Sequence, residues 1–329
     1  MGRRRRVRKT HLGTGVKRLG VVGTMVWDTI HDRDPAQRAV EEWGGIAYAL
    51  EALDATLPDD WAIVPLIKVG RDLAPQAAAF LREIHHVAPG ARFIEVPEPN
   101  NRVTLRYESS DRRCERVSGG VPGWTWPELG PLVRDLDALY VNFIAGWEMT
   151  FETAQLLRHG FPRTIYADLH SLFLGRLDDG TRVLQPLPGV AGWFSCFDTA
   201  QLNEDEFSQV SDDPLAAAAL ALGTACRSLI VTLGPRGAVY FVAADRAGGG
   251  GGPIRTARIA LDPGDAAPPA GGDPTGCGDV FGAVACARLL SGSALEDAVR
   301  SACHLAARNV THRGATGLRD HLLGRLATV

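Results

Sequence analysis

The chain has 329 residues, 45% apolar and 22% charged, with a net charge of −3. That is enough chain to bury a large core, as one big domain or a domain with an appendage, and its composition is ordinary for a globular protein. The charge gives no reason to expect a nucleic-acid partner, and no apolar run reaches the about 18 residues of a membrane-spanning helix.

The start, Met1-Gly-Arg-Arg-Arg-Arg-Val-Arg-Lys9, is basic but leads into no hydrophobic signal core, so residues 1–17 are expected to form a disordered, solvated tail. The first strand is expected over Arg18–Val26. Asp28 follows it at the strand's end, where a carboxylate can accept hydrogen bonds from two substrate hydroxyls or cap a turn. Gly44-Gly45 opens a helical run, Ile46–Leu57, and allows close backbone approach by a ligand. A second buried strand covers Trp61–Val69, a helix lies near 75–87, and a short strand covers Arg92–Val96. Asn101–Ser109 alternates apolar and polar, turns at Ser109-Ser110-Asp111 and returns over Arg113–Ser118, which reads as an antiparallel hairpin outside the main sheet. The stretch 29–42 is a candidate extra strand for it.

From residue 138 strands alternate with helices. Strands are expected over Ala138–Asn142, Thr164–Asp168, Trp193–Phe197, Leu229–Leu233 and Ala238–Val242. Helices are expected near 150–159, 203–209, 213–226, 277–291 and 294–310. This alternation predicts an α/β fold with a mostly parallel sheet covered on both faces, and ligands at the carboxyl ends of its strands. Gly248–Gly252 reads as a flexible loop.

Six cysteines, Cys114, Cys196, Cys226, Cys277, Cys286 and Cys303, form no C-x-x-C pair and no zinc-spaced Cys/His cluster. They read as reduced, mostly buried thiols of a cytoplasmic protein. Only Lys9, Lys17 and Lys68 occur among lysines. With no G-x-x-x-x-G-K-[ST], no H-R-D and no D-F-G, neither a P-loop nor a protein-kinase fold is expected. Phosphate chemistry in this chain must then use backbone amides, arginine and a metal ion.

Gly271-Gly-Asp-Pro-Thr-Gly-Cys-Gly-Asp279 supplies such amides, because it is a glycine-rich turn feeding a helix N-terminus. An anion would sit on Gly276, Cys277 and Gly278. Asp279 would then face it, which makes sense if the carboxylate takes a proton from an attacking hydroxyl. The other reading is a first-turn Asp that stabilises the helix dipole.

The pattern Asp273-x-Thr275-Gly276-x-Gly278-Asp279 resembles the signature of the ribokinase family of carbohydrate and nucleoside kinases, of the PfkB type. The family usually has Ala at Cys277 and often Thr or Ser at Pro274. The resemblance implies a ribokinase-like domain over 18–329, with a central mostly parallel sheet, helices on both faces and a small β-sheet lid formed by about 29–43 and 97–121. It implies Asp279 as catalytic base and the 276–278 amides as anion hole. Asp28 would bind sugar or ribose hydroxyls. Gly44-Gly45 begins a family pattern that ends in Asn, where this chain has Ala49; Asn101 and Arg102, or Asn142, are candidates for the missing contact, or plain turn and cap residues. Asn203-Glu-Asp-Glu206 looks like the family's N-x-x-E motif, with Asn203 and Glu206 organising the magnesium–phosphate waters; by itself Asn203 reads as a helix cap. Thr232, Gly234 and Gly237 match a T-x-G-x-x-G segment that contacts the nucleotide. Asp273 and Thr275 lie where many members hold a monovalent cation, usually potassium. His304 would line the adenine pocket or be a buried structural histidine.

The implied activity is phosphoryl transfer from ATP, with Mg2+, to a hydroxyl of a sugar or nucleoside. Trp27, Trp43 and Tyr48 are candidates to stack on a base, or core residues. A catalytically weak sugar or nucleoside sensor on the same fold is the alternative, and an intact D-x-T-G-x-G-D argues against it. A dinucleotide-binding enzyme ranks low, because no G-x-G-x-x-G follows the first strand. Pairing of lid edges into a homodimer is compatible with the layout.

Overall fold

The computed structural model describes residues 15–31, 38–107, 113–243, 253–261 and 272–325. Most of the expected tail, the turn Ser109-Ser110-Asp111, the run 248–252, Gly271 and part of the stretch 29–43 lie outside the described residues.

In chain order the first elements are β1 (Lys17–His31), β2 (Val40–Gly45), α1 (Ile46–Thr56), β3 (Trp61–Gly70), α2 (Ala74–Glu83), β4 (Ile94–Val96), β5 (Arg102–Tyr107) and β6 (Arg113–Ser118). Then come α3 (Trp126–Val133), β7 (Ala138–Asn142), α4 (Phe151–Gly160), β8 (Thr164–Asp168), β9 (Leu174–Arg176), β10 (Arg182–Leu184), α5 (Val190–Phe194), β11 (Thr199–Asn203) and α6 (Glu204–Ser208). The last are α7 (Pro214–Leu222), β12 (Ser228–Thr232), β13 (Ala238–Ala243), β14 (Ile254–Ile259), α8 (Cys277–Leu290), α9 (Leu295–Asn309) and α10 (Leu318–Leu322).

The main sheet runs in the order β14-β13-β12-β11-β8-β7-β1-β3-β4. From β12 to β4 every pairing is parallel, while β12–β13 and β13–β14 are antiparallel. Helices cover both faces. One apolar core packs α1, α8, α9 and α10 on the sheet, and a second packs α3, α4, α5 and α7 on the other face. No helix among the described residues is long and apolar enough to cross a membrane.

β1 belongs to two sheets, and its burial shows where it changes. Leu19 to Val26 are buried without a break, as expected of a parallel strand covered on both faces. From Trp27 to His31 burial alternates, as in a strand with one wet face. This outer half pairs antiparallel with β2 and parallel with β5, which pairs antiparallel with β6. The small sheet therefore grows out of the main one through one continuous strand, and Asp28 lies just past the changeover.

One expectation needs correction, and the direction of the edge strands was left open by the sequence. Trp193–Phe197 is not a strand: α5 ends at Phe194, and the strand of this region is β11. Trp193 packs across Phe143 and Phe151, with ring centroids 5.5 and 5.2 Å away. Length and bulk alone cannot separate a short apolar strand from a buried helical turn. The last two strands of the main sheet also reverse direction, so the sheet's edge is an antiparallel hairpin extended by β14. The sequence reading omitted α3, although its Thr125-x-x-Glu128 capping box is formed with both reciprocal bonds. It also omitted the β9–β10 hairpin. That hairpin takes part of the outer edge of β6: Val117 N–H donates to Gly180 O at 2.9 Å, Arg116 meets Asp179 at 2.6 Å and Arg182 meets Glu115 at 3.0 Å.

Candidate active site

The N-terminus of α8 is built around a glycine that has to be one. Gly276 caps the helix with φ +79°, a left-handed value that side chains disfavour, and a Cβ there would lie 2.3 Å from the Tyr48 ring. The turn before it is fastened to the end of α9. Asp273 N–H donates to Val310 O at 2.9 Å, and Asn309 Nδ2 donates to Thr275 O at 2.8 Å. Thr275 N–H donates to Asp273 Oδ1 at 2.9 Å, and both residues are buried. Cys277 N–H turns back to Pro274 O at 3.2 Å, and its Sγ donates to Ala306 O. The other four cysteines whose thiols the structure buries, Cys196, Cys226, Cys286 and Cys303, are pushed by desolvation up to about 11 or 12 and are inert.

Asp279 occupies the first turn of α8, and polar side chains from three strands lie beneath it. Asn142 Nδ2, at the carboxyl end of β7, donates to Asp279 Oδ1 at 2.8 Å and to Tyr140 OH at 3.3 Å. Gln201 Nε2, on β11, donates to Gly278 O at 3.1 Å and to Asp168 Oδ2 at 2.7 Å, while its Oε1 accepts from Tyr166 OH at 2.8 Å. Gly282 lets α8 approach this layer, since a Cβ there would lie 2.7 Å from both Gln201 Oε1 and Tyr140 OH. Asp168 is buried, and desolvation, with the nearby charges of Glu206 and Asp279, raises its pKa well above the carboxylate range.

Asp28 lies opposite β2, where Val26 pairs with Gly44 and Met25 with Gly45. A Cβ on Gly44 would lie 1.8 Å from Asp28 Oδ2, so the glycine is what lets the buried carboxylate stand there. Tyr48 links this acid to the other: burial, then the charges of Asp28, Asp273 and Asp279, push its phenol up and keep it protonated. Asp28, Gly44, Tyr48, Gly276 and Asp279 are therefore one neighbourhood. Trp27 and Trp43 form an edge-to-face pair with centroids 5.0 Å apart. Asn101 is wholly buried at the base of the small sheet, accepting from Val121 N–H at 3.2 Å and, through its carbonyl, from Trp27 N–H at 3.0 Å. Ala49 is buried in α1.

Asn203 ends β11 and caps α6, forming a reciprocal capping box with Glu206. Cap geometry and a position at the carboxyl end of the sheet coincide there. A residue the sequence reading missed, His170, closes on this motif: its Nδ1 contacts Glu206 Oε1, and its backbone N–H donates to Asp168 Oδ1 at 3.1 Å. Burial would lower the imidazole's pKa, but the Glu206 carboxylate, aided by Asp168 and Glu115, raises it to about 9. Asp168, His170, Gln201 and Asn309 carried no motif signal. The one clue was an Asp at a strand end followed two residues later by His.

Thr232, Gly234 and Gly237 form the β12–β13 turn, and a Cβ on Gly237 would lie 2.0 Å from Ile259 O. Beside the end of β14, His304 lines a cavity of about 380 Å³ with Ala260, Leu261, Asp297, Arg300, Ser301 and Cys303. Three cations have other partners. Lys68 is buried on Glu128 at 3.1 Å and against the Trp124 ring, Arg102 meets Asp72 at 2.8 Å, and Arg236 pairs with Glu204.

Residues 182–321 match the model of the pfkB family carbohydrate kinases. No curated protein matches the sequence. Among solved structures, ribokinase from Thermotoga maritima is 17% identical with a TM-score of 0.67, covering 94% of this chain and 99% of its own. The Burkholderia thailandensis nucleoside kinase in complex with inosine is 16% identical with a TM-score of 0.70, covering 94% and 97%. A pyrophosphate-dependent kinase in the ribokinase family is 16% identical with a TM-score of 0.68, covering 94% and 99%. Residues 182–321 thus match the pfkB family carbohydrate kinases, on a chain whose described residues have the ribokinase fold.

Proposed function

We propose that the chain is a kinase that transfers the γ-phosphoryl group of ATP to a hydroxyl of a sugar or nucleoside. The observation that carries this reading is Asp279. It is a carboxylate in the first turn of a helix that starts on a glycine turn, where Cys277 N–H is held by Pro274 O and the Gly276 and Gly278 amides would meet an anion; Tyr48 joins it to a second buried acid, Asp28. Asp28 accepts hydrogen bonds from acceptor hydroxyls and orients the reacting one. Asp279 Oδ takes that hydroxyl's proton as its oxygen bonds to the γ-phosphorus and the bond to the leaving phosphate oxygen breaks. The turn 276–278 and the dipole of α8 stabilise the charge on the transferring group. The small sheet covers the acceptor and keeps water from competing with it.

Among the described residues no group of three His, Cys, Asp or Glu could hold a metal ion directly. That suits magnesium bound mainly by water and phosphate oxygens, with Glu206 and Asn203 holding its water shell. Magnesium, when bound, neutralises charge on the phosphates. Asp273 Oδ1 and Thr275 O each accept a hydrogen bond within the turn where a monovalent cation would sit. Thr232, Gly234, Gly237 and the His304 cavity are the expected nucleotide side.

The test is ADP release by the purified protein with ATP, magnesium and potassium against a panel of sugars and nucleosides. Pyrophosphate serves as a second donor, because a pyrophosphate-dependent kinase shares the fold. A compound-dependent signal that vanishes in Asp279→Asn supports the reading and identifies the acceptor. ATP binding without turnover on any acceptor would favour a sensor, and no binding of either donor would overturn it.

A further inference from the structure

We propose that Asn142 is the residue that positions Asp279, a role which rests on Asp279 being the base. Asn142 ends β7 at the carboxyl edge of the sheet, and its side chain has no exposed surface. Both amide hydrogens are committed, one to Asp279 Oδ1 at 2.8 Å and one to Tyr140 OH at 3.3 Å. Tyr140 OH in turn lies 3.5 Å from the Asp279 carbonyl, so one small cluster grips both the backbone and the carboxylate of that residue. The amide cannot be turned over, because its oxygen would then face a carboxylate oxygen.

The cluster also has a cost. Asn142 Oδ1 is buried with no hydrogen-bond partner among the described residues. β7 is buried along its whole length, and leucine would fill the same space without an orphaned acceptor. Asn142 presents no free group to an acceptor molecule, since the orphaned oxygen is sealed from solvent. What the amide does is donate to one oxygen of the base. That bond favours the ionised carboxylate and fixes its rotation. The other groups around Asp279 push the opposite way or are neutral: Asp168 from β8 is an acid, and Tyr48 from α1 and Tyr140 from β7 are protonated phenols.

The experiment compares wild type, Asn142→Ala, Asn142→Asp and Asp279→Asn. Protein with 13C-labelled aspartate carboxyls is titrated without ligand, the Asp279 resonance being identified by its loss in Asp279→Asn. Asn142→Ala is expected to raise the Asp279 midpoint by about one pH unit and, on the acceptor found by the panel, to lower kcat about 10- to 100-fold, the size of a bond to a charged group. KM should stay within about threefold, and the acid limb of the kcat profile should move up with the midpoint. Asn142→Asp keeps the volume, guards against a folding failure and should move the midpoint further, because like charges oppose ionisation. An unmoved midpoint in either variant overturns the proposal. So does a raised KM with kcat intact, which would make Asn142 a substrate contact. Turnover surviving in Asp279→Asn would instead remove the base assignment itself.

Discussion

Two clusters of buried acids, one under the N-terminus of α8 and one behind α1, use similar residues and reach opposite states. Behind α1, Asp54 collects His85 Nδ1 at 3.0 Å, His86 N–H at 2.7 Å and His86 Nδ1 at 2.8 Å, with Arg319 Nε at ion-pair distance, 2.9 Å, though that N–H makes no hydrogen bond among the described residues. Glu51 beside it accepts from Arg319 N–H at 2.7 Å. This cluster ties α1, the loop after α2 and α10 together, and its central carboxylate is surrounded by donors. Under α8 the same kinds of group leave an acceptor orphaned on Asn142 and place one acid, Asp168, where other acids oppose its ionisation. The lesson is that burial of a carboxylate does not mark a site. A carboxylate at the carboxyl edge of a parallel sheet, beside a helix N-terminus and with neighbouring acids that oppose ionisation, does.

The sharpest way to break this contrast is to swap the losses. Asp279→Asn should lower turnover about 10²–10⁴-fold and leave the unfolding midpoint unchanged or higher, because one of two neighbouring acids, Asp168 and Asp279, is neutralised. Asp54→Ala should do the reverse, costing about 3–5 kcal/mol in urea unfolding by removing the buried carboxylate that His85, His86 and Arg319 share, with donor binding retained at temperatures where the protein is folded. Equal loss of stability in both variants would erase the distinction.

The two acids behind α1 also predict opposite pH slopes. Burial would raise the pKa of Asp54, but the bonds from His86 and His85 outweigh it and hold the carboxyl at about 2. Its stabilisation is present above 3.8, the ordinary value, and is lost as pH falls toward 2. Desolvation lifts Glu51 from 4.5 to about 7. The folded protein keeps that proton where the unfolded chain has released it, so stability should fall as pH rises from 4.5 to 7 and level off above. Glu51→Gln should remove a slope on the order of 3 kcal/mol from urea midpoints measured across that window.

Gly44→Ala tests the acceptor side. A methyl group within 1.8 Å of Asp28 Oδ2 must displace the carboxylate, and a shift of about 1 Å is enough to cost up to about 100-fold in kcat/KM. Unchanged kinetics would remove Asp28 from the site. The smallest effect is expected where the β9–β10 hairpin meets β6. Arg116 and Asp179 are each about half exposed, so Arg116→Ala should change stability by less than about 1 kcal/mol.

Much of the fold was legible because a parallel sheet buried on both faces leaves continuous apolar strands, as in Leu19–Val26 and Ala138–Asn142. The α8 turn was legible because positive φ and close packing on Tyr48 demand glycine at 276. The supporting residues were not. Asp168, His170, Gln201 and Asn309 lie on separate elements, 27 to 142 residues apart along the chain from the turns or acids they hold, and nothing local marks them. Trp193–Phe197 was misread because a five-residue apolar run has no period long enough to choose between helix and strand.

By itself the sequence determined the α/β alternation, the glycine turn and its acid, and the family resemblance, because each is carried by residues close together in the chain. Only the tertiary structure decided that β1 passes from one sheet into another at Asp28, that Asn142 meets Asp279 rather than solvent, and that His170 closes on Glu206. Those outcomes depend on which strand ends the sheet brings side by side, and strand order is set by packing between distant segments.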